Sequence, residues 1–396
     1  MSAPEGVARR LRIAVLNRVF SPAGGGAESY SIRVVEQLAA RHEVHVYAQR
    51  IEHDWPGISY HRVPAPLARP RWVNQLWYAL YTWRATRRGF DLVHSHENTW
   101  YGQVQTIHVK PVRGNLLAGR SGWALAARWL KIVLSPRLIA NLSLEAARFR
   151  RLPGRRVVLA SEALRAQALA AYPLAGDMMS VITPGVSPPA QSPSRAEARR
   201  LLGLPQSDAL LLFVANDYAR KGLDAVLAAL ARLPDGIRLV VVGNPAGIAQ
   251  YQGKARSLGV AQRIHFLGAM KDIDLAYRGA TALVHPTQDD TFAMVVLEAM
   301  AYGLPVVVSG PEHCGISALL QDGRNALLLH DPRDAIELAA AVSRVLDDPV
   351  LAAQLSEASL RFAQGHTWEE ASRRYEEVYV ASMKACHAGL DPASMA

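Results

Sequence analysis

Two doubly wound α/β domains in tandem are the fold class the sequence predicts, on three observations. A short apolar run, Leu11 to Leu16, leads through Gly24-Gly25-Gly26 into a helical pattern and then a second strand. The same plan restarts past mid-chain, where Leu210 to Val214, a polar loop from Asn216 to Lys221, a helix from Leu223 to Leu233 and Leu239 to Val242 follow one another. Between them lies Pro184 to Pro193, whose four prolines and one glycine let neither a helix nor a central strand persist. Repeated β-loop-α-β openings of this kind build parallel sheets with helices on their faces.

The remaining elements follow in order. Ile32, Val35, Leu38 and Ala39 recur at helical spacing between Ser29 and Ala40, and His42 to Ala48 alternates as a strand. Asp91 to His96 and Val157 to Ser161 continue the first half as strands, and Ile264 to Leu267, Ala282 to His285 and Pro305 to Ser309 continue the second. Helices fit between them, among them Val295 to Tyr302, which Gly303 and Pro305 stop. Trp368 to Lys384 forms a last helix, with a loose tail from Ala388. The expected divisions are residues 1–186, 187–366 and 367–396.

The 396 residues, 50% hydrophobic and 20% charged, suffice for large cores without covalent staples. Two cysteines, Cys314 and Cys386, exclude a disulfide framework and a tetrathiolate zinc site, so both are expected as reduced thiols. The run after Arg9 and Arg10 is too short for a signal peptide, and no stretch of about 18 uncharged apolar residues exists to span a bilayer. A cytoplasmic protein is expected. The net charge of +10 divides unevenly: residues 1–190 hold 25 Lys and Arg against 11 Asp and Glu, and the rest hold 19 against 23. A one-sided basic half can steer nucleic acid, anionic lipid or an acidic glycan, and composition does not choose among them.

Chemistry concentrates in His285-Pro-Thr-Gln-Asp-Asp290-Thr-Phe-Ala293-Met294-Val295-Val-Leu-Glu298. The pattern is a strand end, an acidic loop, and a helix whose first-turn amides around Ala293, Met294 and Val295 offer an anion site. Glu298 stands on an otherwise apolar stretch; Asp290 suits a helix cap as well as a ligand contact. Arg220-Lys221-Gly222 places two cations before a helix, where they oppose its dipole unless they serve an anion. A guanidinium fork and a point charge together suit a diphosphate. Gly24-Gly25-Gly26-Ala27-Glu28 lacks the third glycine and acidic partner of a dinucleotide fingerprint.

The span from Asp290 to Glu298, with seven residues between the acids, resembles the acidic signature of the retaining glycosyltransferases of family four, which have the GT-B fold: two Rossmann-like domains facing a central cleft. The loop here is Asp290-Thr291-Phe292-Ala293 where the family commonly has Glu-Gly-Phe-Gly. By that resemblance Glu298 binds the donor ribose, Asp290 contacts hydroxyls of the transferred sugar, and Ala293, Met294 and Val295 hold the diphosphate with Arg220 and Lys221. Gly25 and Gly26 match the first-domain glycine loop on the donor side. His108, in Gln105-Thr-Ile-His108, matches a histidine facing the donor sugar. The first domain becomes the acceptor domain, the second the nucleotide-sugar domain, and the last helix a return to the first.

Asn216 to Asp224, His285-Pro286 and Tyr47-Ala-Gln49 look most like the lipopolysaccharide-core hexosyltransferases. The implied reaction is hexose transfer with retention, from UDP-glucose to a lipopolysaccharide-core or other lipid-linked glycan, with no cofactor, no metal and no nucleic-acid partner. Two alternatives stay open. One is another donor, such as GDP-mannose or a UDP-N-acetylhexosamine, acting on an exopolysaccharide lipid intermediate; the other is a non-catalytic basic protein that docks on membranes. His94 and His96, two apart on a strand, share a face but lack further metal ligands, and Asp272 and Asp274 suit helix capping. Trp123, Arg128, Trp129 and Lys131 mark a segment, Trp123 to Leu134, that fits either an anionic membrane surface or a core helix. Arg148, Arg150, Arg151, Arg155 and Arg156 add a basic cluster after it. Peripheral contact with the inner face of the cytoplasmic membrane is expected.

Overall fold

The computed structural model describes residues 9–21, 26–67, 69–117, 119–189, 193–270 and 273–388. The chain divides into two units, residues 1–184 together with 368–396, and residues 185–367. In the second unit six strands lie in the order Ile264–Gly268, Ile237–Gly243, Ala209–Ala215, Ala282–His285, Val306–Ser309 and Leu327–Leu329, all parallel. Their near-continuous apolar sequences follow from burial on both faces. Successive side chains divide between two cores: Leu211 and Phe213 pack with Leu227 and Leu338, whereas Leu210, Leu212 and Val214 pack with Leu297 and Met300.

In the first unit seven parallel strands run in the order Ile58–Arg62, Glu43–Ala48, Arg12–Leu16, Leu92–Ser95, Val104–Ile107, Arg156–Leu159 and Met179–Val181. Both units therefore have the doubly wound plan expected from the sequence. In each, the strand order reverses beside the unit's first strand, and the crevice beyond the carboxyl ends at that point is where such sheets take ligands. The helices Arg71–Thr86, Pro136–Arg148, Ala335–Asp347 and Pro349–Gln364 add to the elements isolated by sequence pattern.

The last helix, Trp368–Ala388, is part of the first unit although the whole second unit precedes it in the chain. Glu376 receives Arg41 at 2.7 Å and His42 at 2.9 Å, and Arg374 donates to the Val181 carbonyl at 2.8 Å. Deeper, Tyr375 and Tyr379 are fully buried against His94 and Tyr30. The direction of this network is determined by its end. Tyr30 donates to the Ile182 carbonyl at 3.1 Å, which can only accept. Tyr30 must therefore accept from Tyr375 at 2.9 Å, Tyr375 from Thr106 at 2.9 Å, and Thr106 from His94 Nε2 at 2.7 Å. His94 is left with a bare Nδ1, which accepts from Tyr379 at 2.7 Å. Burial pushes the His94 pKa down to about 3, so the ring is neutral and both nitrogens are satisfied.

Tyr375→Phe interrupts this chain at its centre and strands two buried hydroxyls. Stability of the first unit should fall by about 1–3 kcal/mol, read as an earlier urea transition with the second unit's transition unmoved.

Candidate active site

At the switch point of the second unit, two loops leave neighbouring strands: residues 216–222 after Ala209–Ala215, and residues 286–293 after Ala282–His285. Gly222, at φ 85°, lies so close to the Pro286 carbonyl that a Cβ would come within 2.0 Å of its oxygen, so only glycine permits this approach. Gln288 N donates to the Arg220 carbonyl at 2.9 Å, and its side-chain amide donates to the Ala219 carbonyl at 3.3 Å. On the other side Asp290 N donates to the His313 carbonyl at 2.8 Å, and Gly315 N to the Asp290 carbonyl at 3.0 Å. The acidic loop is thus fixed between two others.

Asp290 occupies the centre of this arrangement. Its Oδ2 pairs with Lys221 Nζ and lies 3.4 Å from His285 Nε2. Its Oδ1 accepts from the Phe292 and Ala293 amides at 3.2 and 2.9 Å. Lys221 and Asp290 side chains are only 11% and 17% exposed. Burial alone would raise the Asp290 pKa, but the His285 hydrogen bond and the Lys221 charge override it and hold the carboxyl well below the usual range. Burial pushes the His285 pKa down despite the adjacent carboxylate, so Lys221 is the counter-ion. Asp290 therefore braces the loop ahead of the helix and does not cap it: its two amide donors, Phe292 and Ala293, precede the helix, whose N-cap position is Ala293 itself.

Ala293 precedes the helix Met294–Ala301 at φ 71° and ψ 70°, the one non-glycine residue with positive φ among the described residues. A left-handed alanine costs roughly 1–2 kcal/mol. The first-turn amides of Met294 and Val295 have no intrahelical partner. Glu298, half-buried on this helix, accepts from the Tyr277 hydroxyl at 2.6 Å. Burial and then the Glu298 charge push the Tyr277 pKa far up, so this phenol remains a donor. Tyr277 is a member of the site that the sequence did not single out. Arg220, 53% exposed, pairs with Asp217 at 3.4 Å, and its backbone amide donates to the same carboxylate at 3.1 Å.

In the first unit, Gly25 lies outside the described residues and Gly26 opens the helix Gly26–Ala39. His96 and His108 directly follow the neighbouring strands Leu92–Ser95 and Val104–Ile107. His96 Nδ1 and His108 Nε2 lie 3.1 Å apart, and the Tyr30 ring meets His108 edge-on at 4.8 Å. Burial pushes the His108 pKa down to about 3 and that of His96 also well down, with Arg148 opposing protonation of both. Each is a neutral imidazole.

Two families match the chain: "Glycosyltransferase Family 4" over residues 24–188 and "Glycosyl transferases group 1" over residues 194–362. A D-inositol 3-phosphate glycosyltransferase of Streptomyces avermitilis is 30% identical over 344 residues, 76% of this chain and 68% of the relative. The chain belongs to glycosyltransferase family four. The enzyme of the same description from Streptomyces scabiei is 29% identical over 94% of this chain and 91% of its own. Among solved structures, WaaG, a glycosyltransferase involved in lipopolysaccharide biosynthesis, superposes with TM-score 0.78 at 22% identity, over 93% of this chain and 99% of that one. Anabaena HepE in complex with UDP-glucose gives 0.70 at 18% identity, over 94% and 100%. These likenesses establish the GT-B fold, and the chain is a glycosyltransferase.

Elsewhere in this glycosyltransferase the sequence expectations divide. The helix Gly122–Val133 is not a core helix: of its residues only Ile132 is buried, whereas Trp123 is 85%, Trp129 49% and Leu130 61% exposed. Arg128 and Lys131 belong to the same helix. The arginine cluster after it is not one surface. Arg148 and Arg155 are buried and donate to the Thr106 carbonyl at 2.6 Å and the Trp100 carbonyl at 3.1 Å, while Arg151 pairs outside with Asp177. Asp272 lies outside the described residues, and Asp274 begins the helix Asp274–Gly279. No group of three His, Cys, Asp or Glu among the described residues is placed to hold a metal ion.

Ala293→Gly supplies the residue that the left-handed backbone favours. Stability should rise by about 1 kcal/mol, the strain relieved less the entropy of a freer unfolded chain, measured by urea unfolding of the second unit's transition.

Proposed function

We propose that this glycosyltransferase moves a hexose, with retention, from a nucleoside diphosphate donor to a hydroxyl of a lipid-linked glycan, and that UDP-glucose is the donor. The observation that carries this is the largely buried Lys221 side chain beside the start of the helix Met294–Ala301, at the switch point of the second unit. An anion there meets the Lys221 ammonium, the Arg220 guanidinium and the Met294 and Val295 amides. Glu298, oriented by Tyr277, suits the ribose hydroxyls. The UDP-glucose complex of the HepE neighbour supports the choice of base and sugar.

The bond from the sugar's anomeric carbon to the diphosphate breaks as the acceptor oxygen bonds on the same face, and the acceptor proton passes to the departing phosphate oxygen. Asp290 is committed through both oxygens, to Lys221 and His285 on one side and to two loop amides on the other, which supports a route without a protein nucleophile. Electrostatic stabilisation of the leaving diphosphate is then the main work of the protein. Two cations beside the amides do it without a metal ion.

A lipid-borne acceptor is supported by the exposed helix Gly122–Val133 and by charge. From residue 98 to residue 144 the chain carries six Lys and Arg and no Asp or Glu. Apolar and aromatic side chains with interspersed cations suit an anionic membrane surface. No helix among the described residues is long and apolar enough to cross a membrane. The contact proposed is a peripheral one, on the inner face of the cytoplasmic membrane. The Streptomyces relatives favour a second acceptor, a phosphorylated inositol. An acceptor panel separates the two.

Glu298→Gln and Lys221→Ala should each lower kcat by about 10²–10³-fold with the circular dichroism spectrum retained, and EDTA should leave wild-type transfer unchanged. UDP should compete with the donor and GDP should not. Competition by GDP alone rejects the glucosyl donor, and loss of transfer in EDTA rejects the metal-free route.

Full-length protein should float with vesicles rich in anionic lipid and release with salt. Lys131→Ala should weaken that partition by about 1 kcal/mol, and Trp123→Ala should weaken it further. Equal binding to neutral vesicles, or no effect of either variant, rejects this helix as the contact.

A further inference from the structure

We propose that His96 is a positioning residue: it holds His108 as the tautomer with its proton on Nδ1, so that His108 offers a ring N–H, and not a bare nitrogen, to a sugar hydroxyl at the carboxyl edge of the first unit's sheet. The inference rests on the reading of the chain as a hexosyltransferase and concerns the first unit's own histidines.

The two rings are brought together by strand register. His94 pairs with Val104 and Ser95 with Gln105 in parallel strands, so the residues just past each strand lie at the same edge of the sheet. His96 N donates to the Leu16 carbonyl at 2.9 Å, which fixes the backbone on one side. The imidazole planes lie within 7° of each other, with Nδ1 of His96 3.1 Å from Nε2 of His108. Two neutral imidazoles share one proton across such a contact, so one ring donates and the other accepts.

Only two arrangements exist. In the first, His108 Nε2–H donates to His96 Nδ1, and the His96 proton sits on its own Nε2. In the second, His96 Nδ1–H donates, His96 Nε2 is a bare lone pair, and the His108 proton moves to Nδ1. His96 Nε2 decides between them, because it is buried and has no partner. The first arrangement leaves an unpaired N–H in the interior, and the second leaves only an unpaired acceptor, the less costly omission. His94, whose ring lies 4.3 Å from that of His96, offers no relief, since both its nitrogens are taken by Tyr379 and Thr106. Nor does Arg148, whose Nε and Nη2 donate to Gln105 and Thr106. A histidine tautomer is commonly set by the hydrogen bond its other nitrogen makes, and here the setting partner is a second histidine.

Histidine-labelled full-length protein tests this by long-range proton–nitrogen correlation. The expected tautomers are Nε2–H for His94 and Nδ1–H for both His96 and His108. His96→Leu should release His108 to Nε2–H and lower kcat by about tenfold or more, as for a lost orienting partner, with UDP affinity unchanged. His96→Asn places an amide N–H near the position of Nδ1 and should restore both the tautomer and most of the rate. An unchanged His94 signal shows that packing is intact in each variant. His108 found as Nε2–H in the wild type, or a tautomer unmoved by His96→Leu, overturns the proposal. Failure of the wild type to bind any nucleotide sugar would instead overturn the donor reading, with the nitrogen signals still deciding what His96 does to His108.

Discussion

One largely buried ion pair organises the second unit's site. Lys221 and Asp290 belong to loops that leave adjacent strands, and neither charge is well solvated. Removing one partner from such a pair leaves the other poorly solvated and uncompensated. The remaining loop geometry is arranged around it. Gly222 lets its loop approach Pro286, Gln288 joins the two loops, and the Asp290 carboxylate also fixes the left-handed entry into the helix Met294–Ala301. The site's cation and its helix start are held in register by a single side chain.

The first unit relies on neutral hydrogen bonds where the second relies on charge. Its buried histidines are kept uncharged by desolvation, and their protons are assigned by carbonyls and hydroxyls that can act in only one sense. A chain of five hydrogen bonds runs from Tyr379 through His94, Thr106 and Tyr375 to Tyr30 and the Ile182 carbonyl. Low local dielectric strengthens a fully satisfied network and penalises each omission, which explains why so polar a cluster fits inside a core.

The sequence revealed the two sheets, the acidic loop and the cationic loop, because each is written in local patterns: apolar runs, glycine breaks, and charges set against a helix dipole. It concealed what depends on long separations. Tyr379 and His94 are 285 residues apart, and nothing near His94 announces its partner. The left-handed Ala293 was hidden as well, since alanine does not advertise that backbone. Arg148 and Arg155 looked like surface charge because composition cannot show that main-chain carbonyls would receive them inside the core. The helix Gly122–Val133 was ambiguous for the converse reason: an apolar helical pattern is the same in a core and on an exposed face.

The placing of Trp368–Ala388 in the first unit has a consequence for biosynthesis. A ribosome adding about 5–20 residues per second needs roughly 10–40 seconds to travel from the end of the first unit's opening segment, residue 184, to Tyr375. Throughout that interval His94 and Thr106 have no tyrosines to meet. The second unit, an uninterrupted stretch, can complete itself on the ribosome while its elder neighbour waits unsealed. The half of the enzyme made first is therefore the half finished last, and a nascent-chain holdase would find its client there.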